Sequence, residues 1–307
     1  MTEVSRVRGV LSPVVTPFDR DLRPDGQRLA RHCRWLLDNN VGLAIFGTNS
    51  EANSLSVAEK MALLDTLVEA SVPTGRMMPG TGCCSLSDSV ELTRHAVGLG
   101  CAGVLMLPPF YYKGVADEGL YRNFAEVIER VGDERLRIYL YHIPPVAQVP
   151  ISLALIERLL KAYPATIAGV KNSSGDWGNT SAMLEQFQPQ GFDVFAGSET
   201  FLLATLRGGG GGCISATANV NPGPIAHLAS TWEQPDADAQ QAALDALRSI
   251  FQGYVMIPAL KAAIAHYAND AQWNRVRPPL VELDERQRAD LISTLDGAGF
   301  SMPGLGG

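Results

Sequence analysis

The sequence predicts an α/β protein, a (β/α)₈ TIM barrel with a C-terminal three-helix appendix. Three observations point there. Short apolar runs recur about every 25 to 35 residues, each followed by apolar residues at helical spacing, which is the alternation of βαβ units. Eight such units fit within about 230 residues, and no glycine-rich nucleotide turn follows the first strand, so a closed barrel suits the pattern better than an open doubly wound sheet. Polar residues then crowd the end of every strand, where barrel enzymes keep their sites.

The expected strands are Val10 to Val15, Val41 to Phe46, Arg76 to Pro79, Gly103 to Leu107, Arg137 to Tyr141, Ile167 to Lys171, Asp193 to Ala196 and Gly212 to Ser215. Between them Ser56 to Ala70, Ser87 to Leu99, Asp117 to Val131 and Ser152 to Ala162 show helical spacing, several opening on a Ser or Asp suited to an N-cap. The strand ends supply Thr16, then Thr48-Asn49-Ser50-Glu51, Thr81, Tyr111-Tyr112, Tyr141-His142, Lys171, Ser198-Glu199, and finally Ser215 with Thr217. The glycine run Gly208 to Gly212 precedes the eighth strand and lacks the Lys-Ser/Thr ending of a P-loop, so it reads as a helix C-cap and a tight strand entry. Beyond residue 232 the patterns Asp238 to Phe251, Ile257 to Ala268 and Glu285 to Leu295 are helical, with breaks near Pro258 and at Pro278-Pro279. The expected division is a catalytic barrel over 1–232 and a helical region over 233–307.

A chain of 307 residues with 46% hydrophobic content has ample material for one large core. A formal charge of −7 with no basic cluster argues against a nucleic-acid surface. Five cysteines, odd in number and without a C-x-x-C pair, suggest neither a disulfide framework nor a zinc ribbon. Cys83-Cys84 has no His or Asp partner nearby and reads as small packing at a strand end. The five histidines show no metal-ligand spacing. No apolar run is long enough to span a membrane, and the first nine residues do not resemble a signal peptide, so a soluble, cytoplasmic protein is expected.

Lys171 is the residue that asks for an explanation. It ends the apolar run Ile167-Ala168-Gly169-Val170, whereas Lys60, Lys161 and Lys261 fall on helical faces expected to be solvated and Lys113 lies in a loop. Burial disfavours a charged ammonium and frees an amine for attack on a ketone, which is Schiff-base chemistry. The alternative is a lysine snorkelling from a strand end to water. A Schiff base needs a proton shuttle, and Tyr141, at the end of the neighbouring strand, can relay a proton through a hydroxyl such as Thr48. Tyr141 could equally be a core residue whose hydroxyl bonds to backbone. The loop Gly47 to Glu51 could bind a carboxylate by its amides and hydroxyls, or be a plain turn. His142 alternates away from Tyr141 and is expected to point into the barrel wall or pack beneath a helix.

Together, Gly47-Thr48-x-x-Glu51, Pro109-Phe110-Tyr111-Tyr112, Tyr141-x-x-Pro144 and Val170-Lys171-x-x-Ser174-Gly175-Asp176 resemble the dihydrodipicolinate synthase and N-acetylneuraminate lyase family. The resemblance covers nearly the whole chain, in order, and the four spaced motifs together are specific. The resemblance implies a metal-independent class I aldol or retro-aldol reaction through a lysine imine with pyruvate, with no other cofactor, in a homotetramer built as a dimer of dimers. Carried over by position, Lys171 is similar to the Schiff-base lysine and Tyr141 to the proton-relaying tyrosine. Thr48 and Asn49 match the pair that holds the pyruvate carboxylate, and Tyr111 the tyrosine that reaches the neighbouring subunit's site. Ser198 and Glu199 resemble the region where sugar-acid lyases recognise hydroxyls, and Ser215 is a further substrate-binding candidate.

The departures bear on the substrate. Asn49-Ser50 replace a Thr-Gly pair, and His142 replaces an asparagine that often follows the tyrosine. Val146 stands where the synthase pattern has an arginine for the carboxylate of the aldehyde, and a bidentate anchor is not mildly replaced. The leading expectation is therefore a pyruvate-dependent aldolase or lyase acting on a 2-oxo acid such as a 2-keto-3-deoxy sugar acid. The alternatives are 4-hydroxy-tetrahydrodipicolinate synthase, condensing pyruvate with aspartate semialdehyde, a keto-deoxy sugar acid dehydratase, and a non-catalytic barrel that binds 2-oxo acids. A phosphate-binding barrel isomerase is disfavoured by the misplaced glycine run.

Overall fold

The computed structural model describes residues 6–305, so the expectations for Met1 to Ser5 lie outside the described residues. Its strands are β1 (Gly9–Ser12), β2 (Gly42–Leu43), β3 (Val104–Met106), β4 (Ile138–His142), β5 (Ile167–Asn172), β6 (Asp193–Ala196) and β7 (Gly212–Ile214). The helices are α1 (Gly26–Asp38), α2 (Val57–Glu69), α3 (Leu86–Gly98), α4 (Asp117–Val131), α5 (Pro144–Ala147), α6 (Leu153–Ala162), α7 (Trp177–Phe187), α8 (Leu202–Arg207), α9 (Pro222–Thr231), α10 (Ala237–Gln252), α11 (Met256–Tyr267) and α12 (Glu285–Gly297). Parallel strands alternating with helices, followed by a helical C-terminal region, make this the (β/α)₈ TIM-barrel class that the sequence predicts.

Among the described residues the chain forms two compact units, one of residues 6–9 with Pro73–Ile214, the other of Val10–Val72 with residues 215–305. In the first, β3 pairs with β4, β4 with β5, β5 with β6 and β6 with β7, all parallel. The expected strand at Arg76 to Pro79 is reduced to a bridge between Gly80 and Leu105. Backbone bonds still run along it, from Leu105 to the Pro79 carbonyl at 2.8 Å and from Thr81 to Leu105 at 3.0 Å. Pro79 has no N–H to extend the ladder, which is why the third expected strand does not develop. In the second unit β1 pairs with β2, and helices α1, α2 and α9–α12 surround them in sequence.

Local chemistry explains the helix boundaries. Ser56 and Glu59 form a reciprocal capping box at the start of α2, and Ser152 caps α6 by accepting from Leu155 N–H. Pro258 does not break the chain: it sits in the first turn of α11, where a proline's missing donor costs nothing. Gly208 ends α8 and Gly209 adopts φ 80°, as the glycine run implied. At Gly212, φ is 126° and an added Cβ would lie 1.9 Å from the Gly9 carbonyl oxygen, so only glycine fits.

Two lysines expected in solvent are buried. Lys60 is 5% exposed, and Lys261 is fully buried in α11, whose residues from Pro258 to Ala265 are all buried. A helix apolar all round has no wet face on which to place a charge.

Candidate active site

Register builds the catalytic candidate in the first unit. Paired residues of parallel strands project to the same face, and Tyr141 pairs with Lys171, which pairs with Phe195. Lys171 and Tyr141 are each 2% exposed, and the Lys171 Nζ lies 3.2 Å from the Tyr141 hydroxyl and 4.2 Å from the centroid of its ring. A lysine nitrogen donating to a phenol and lying over the same ring is held in one position by both contacts. That favours the buried reading of Lys171 over a snorkelling one.

One layer earlier on these strands lie Tyr139, Gly169 and Asp193. Gly169 leaves room for the Tyr139 ring, since a Cβ there would approach it to 2.7 Å. The Tyr139 hydroxyl stands 3.5 Å from Asp193, which also pairs with Arg8 at 3.0 Å and Arg6 at 3.4 Å. Burial, reinforced by the Asp193 charge, pushes the Tyr139 phenol up and keeps it neutral. This layer is a floor of paired charges and a packed ring beneath Lys171.

His142 and Asn172 alternate to the opposite face. Asn172 donates to Asn179 at 2.8 Å and Thr180 at 3.1 Å on α7, and His142 Nδ1 accepts from Ile151 N–H at 3.0 Å. Burial pulls His142 down to about 4, so the ring is neutral with its proton on Nε2. The expected wall position of His142 is what the fold provides.

The remaining candidates in this unit spread out. Tyr111 is 74% exposed and packs edge-on against Tyr112 at 5.2 Å, in a loop that Lys113 ties to α5 through the Ala147 carbonyl at 2.7 Å. Val146, on α5, is exposed. Ser198 caps the short turn Glu199–Phe201 and meets Thr200 at 2.8 Å, while the Glu199 side chain is buried. Cys84 is exposed and does not pack as expected, while the Cys83 N–H donates to Ser89.

In the second unit the loop after β2 is two successive 3₁₀ turns, Thr48–Ser50 and Ala52–Ser54, joined at Glu51 in the left-handed region. Thr48 and Asn49 are half-buried. Thr16 Oγ1 donates to the Ser50 carbonyl at 2.7 Å, and the Ser50 hydroxyl accepts from Gly47 N–H. Ser215, fully buried, accepts from Arg248 of α10 at 3.2 Å. Arg248, Lys261 and Arg277 were not singled out in the sequence. Only Lys261 had a local signal, a charge inside an all-apolar helix. Among the described residues no group of three or more His, Cys, Asp or Glu could hold a metal ion, and no helix is long and apolar enough to cross a membrane.

A buried lysine thus lies beside a tyrosine at the ends of adjacent parallel strands, and comparison with known proteins gives the family. The chain belongs to the Dihydrodipicolinate synthetase family, which matches residues 6–298. It is 33% identical to an uncharacterised DapA-like lyase of Chloroflexus aurantiacus, over 92% of this chain and 94% of that protein. The crystal structure of dihydrodipicolinate synthase from Agrobacterium tumefaciens superposes with a TM-score of 0.87 at 29% identity, covering 94% of this chain and 99% of that one. YagE, a prophage protein of the dihydrodipicolinic acid synthase family from Escherichia coli K12 solved with pyruvate, gives 0.87 at 26% identity over 95% and 99%. This chain is thus a carbon–carbon lyase, an aldolase, of that family.

Proposed function

We propose that the protein is a Schiff-base-forming, pyruvate-dependent class I aldolase that cleaves or makes a 2-oxo acid of the 2-keto-3-deoxy sugar acid kind. The observation that carries the reading is the Lys171 amine, buried and 3.2 Å from the Tyr141 hydroxyl. YagE, a family member similar over nearly the whole chain, was solved with pyruvate. The Lys171 amine attacks the ketone carbon of pyruvate, and Tyr141 passes a proton to the carbinolamine hydroxyl, which leaves as water. The resulting imine loses a C3 proton to give an enamine, whose carbon attacks the aldehyde while the aldehyde oxygen takes up a proton. Cleavage runs the same steps backwards, and water then releases pyruvate. The covalent imine is the only cofactor this scheme requires.

Thr48 and Asn49 serve as donors to the pyruvate carboxylate. Thr48 extends the proton relay, and Tyr111 completes a neighbouring subunit's site in a homotetramer, a dimer of dimers. Ser198, Glu199 and Ser215 recognise the hydroxyls of the second substrate. Residues 1–232 act as the catalytic barrel and 233–307 as its helical region, in the cytoplasm. Val146 supports an aldehyde without a carboxylate at that position, because valine cannot pair with one.

Borohydride reduction with pyruvate is expected to leave a stable carboxyethyl group on Lys171, located by peptide mass mapping, and none on Lys171→Ala. An unmodified Lys171 sinks the proposal. Pyruvate release from a panel of 2-keto-3-deoxy acids then identifies the other half. A second reading, 4-hydroxy-tetrahydrodipicolinate synthase, is favoured by the resemblance to the Agrobacterium enzyme. A coupled assay with pyruvate and aspartate semialdehyde decides between them.

A further inference from the structure

The helix α11 is buried around its whole circumference from Pro258 to Ala265, yet it places one charge in that apolar surround. Lys261 Nζ donates to Glu51 Oε1 at 2.6 Å, and neither side chain has any exposed surface. The other carboxylate oxygen of Glu51 accepts the backbone N–H of Arg277 at 2.8 Å. The Phe18 ring lies beneath both cations, its centroid 4.5 Å from Lys261 Nζ and 4.9 Å from Arg277 Cζ. Burial pulls Lys261 down to about 8 against the attraction of Glu51.

Such a pair is not explained by stability, since well-packed apolar side chains of similar size commonly do as well. Its place in the chain suggests another purpose. Glu51 is a non-glycine residue at φ 55°, ψ 34°, the joint between the turn holding Thr48 and Asn49 and the turn Ala52–Ser54. A side chain gripped at both oxygens fixes that unusual joint, and the joint fixes which way the Thr48 and Asn49 backbone faces. Arg277 holds the second turn from beyond, donating to the Ser54 carbonyl at 2.6 Å and the Leu22 carbonyl at 2.8 Å. Its guanidinium also pairs with Glu59 at the start of α2.

We propose that Lys261 and Glu51 are positioning residues for the loop that binds the 2-oxo acid carboxylate, so that the C-terminal helix α11 sets the affinity for the keto acid without touching it. The inference rests on the reading of Thr48 and Asn49 as carboxylate donors. The probe is pyruvate, and the readout is the concentration dependence of borohydride trapping at Lys171 in wild type, Lys261→Met, Glu51→Gln and the double variant. Each single variant is expected to raise the half-saturating pyruvate concentration by about tenfold while the trapping rate at saturation stays within about threefold, the signature of lost binding without lost chemistry. The double variant is expected to be no worse than either single one, because the two residues act as a unit. A purely structural role would lower the folded fraction and the trapped amplitude and leave half-saturation where it was. Should Lys261→Met fail to show a cooperative thermal transition, the near-isosteric Glu51→Gln bears the same expectation. Unchanged half-saturation in a folded Glu51→Gln overturns the inference alone. Wild-type protein that forms no pyruvate adduct overturns it together with the proposed function.

Discussion

Replacing Gly169 by alanine tests whether strand spacing sets the geometry of Lys171. A Cβ at Gly169 would lie 2.3 Å from the Asp193 carbonyl oxygen and 2.7 Å from the Tyr139 ring, whereas ordinary contact begins at 3.4 Å. Relief requires β5 and β6 to separate by about 1 Å, because the nearer atom belongs to backbone and cannot rotate away. Overpacking of this kind costs about 1–3 kcal/mol, and a backbone clash puts the expectation at the upper end, about 3 kcal/mol, or roughly a 150-fold shift in the unfolding equilibrium. Lys171 lies two residues further along the same strand, paired with Tyr141 and Phe195, so the displacement also reaches the 3.2 Å contact. Urea unfolding followed by circular dichroism gives the stability change, and borohydride trapping with pyruvate gives the effect on the amine. In a Tyr139→Leu background the penalty is expected to stay above about 2 kcal/mol, since the ring is not the tightest contact. Gly119→Ala in α4, where nothing lies within 4 Å, serves as control and is expected to gain about 0.5–1 kcal/mol. A Gly169→Ala protein as stable as wild type, with unchanged trapping, would refute the reasoning.

Tyr141→Phe keeps the ring over Lys171 and removes the hydroxyl. Steady-state kinetics are expected to show kcat lowered by about 10²–10⁴-fold, the usual worth of a positioned acid or base, and a change below threefold would exclude a proton relay. His142 and His32 are both pulled down to about 4 by burial, from the ordinary 6.5. The unfolded chain therefore binds protons that the folded one refuses, so stability is fully present above pH 6.5 and falls as pH drops towards 4. Urea midpoints across that window are expected to fall less steeply in His142→Asn than in wild type. Val146→Arg, on the exposed face of α5, is expected to raise kcat/KM with aspartate semialdehyde by about tenfold or more, since a hydrogen bond to a charged group contributes about 1.5–3 kcal/mol. No gain in the coupled assay would remove position 146 from substrate selection.

The sequence by itself determined a good deal here, through short-range rules. Short apolar runs and helical spacing located seven of the eight expected strands to within a few residues, with Asp193–Ala196 and Asp117–Val131 coinciding at both ends. Alternation along a strand separated Tyr141 from His142, and the ends of adjacent strands brought Tyr141 and Lys171 together on the condition that their registers agree. Side chains at Ser56 and Ser152 marked helix starts because capping is satisfied within a few residues of chain.

Only the tertiary structure decided what depends on partners distant in sequence. The register shift between Ile138 and Tyr139 is what aligns Tyr141 with Lys171 rather than a neighbour. The apolar helix around Lys261 marks its charge as odd, but its partner Glu51, 210 positions away, is identified only when the elements pack. Arg248 meets Ser215 from a helix with no motif to announce it. The reason is physical: a hydrogen bond within one element is encoded by spacing, whereas a buried charge is stable only beside its counter-charge. Which loop delivers that counter-charge is settled when the elements pack.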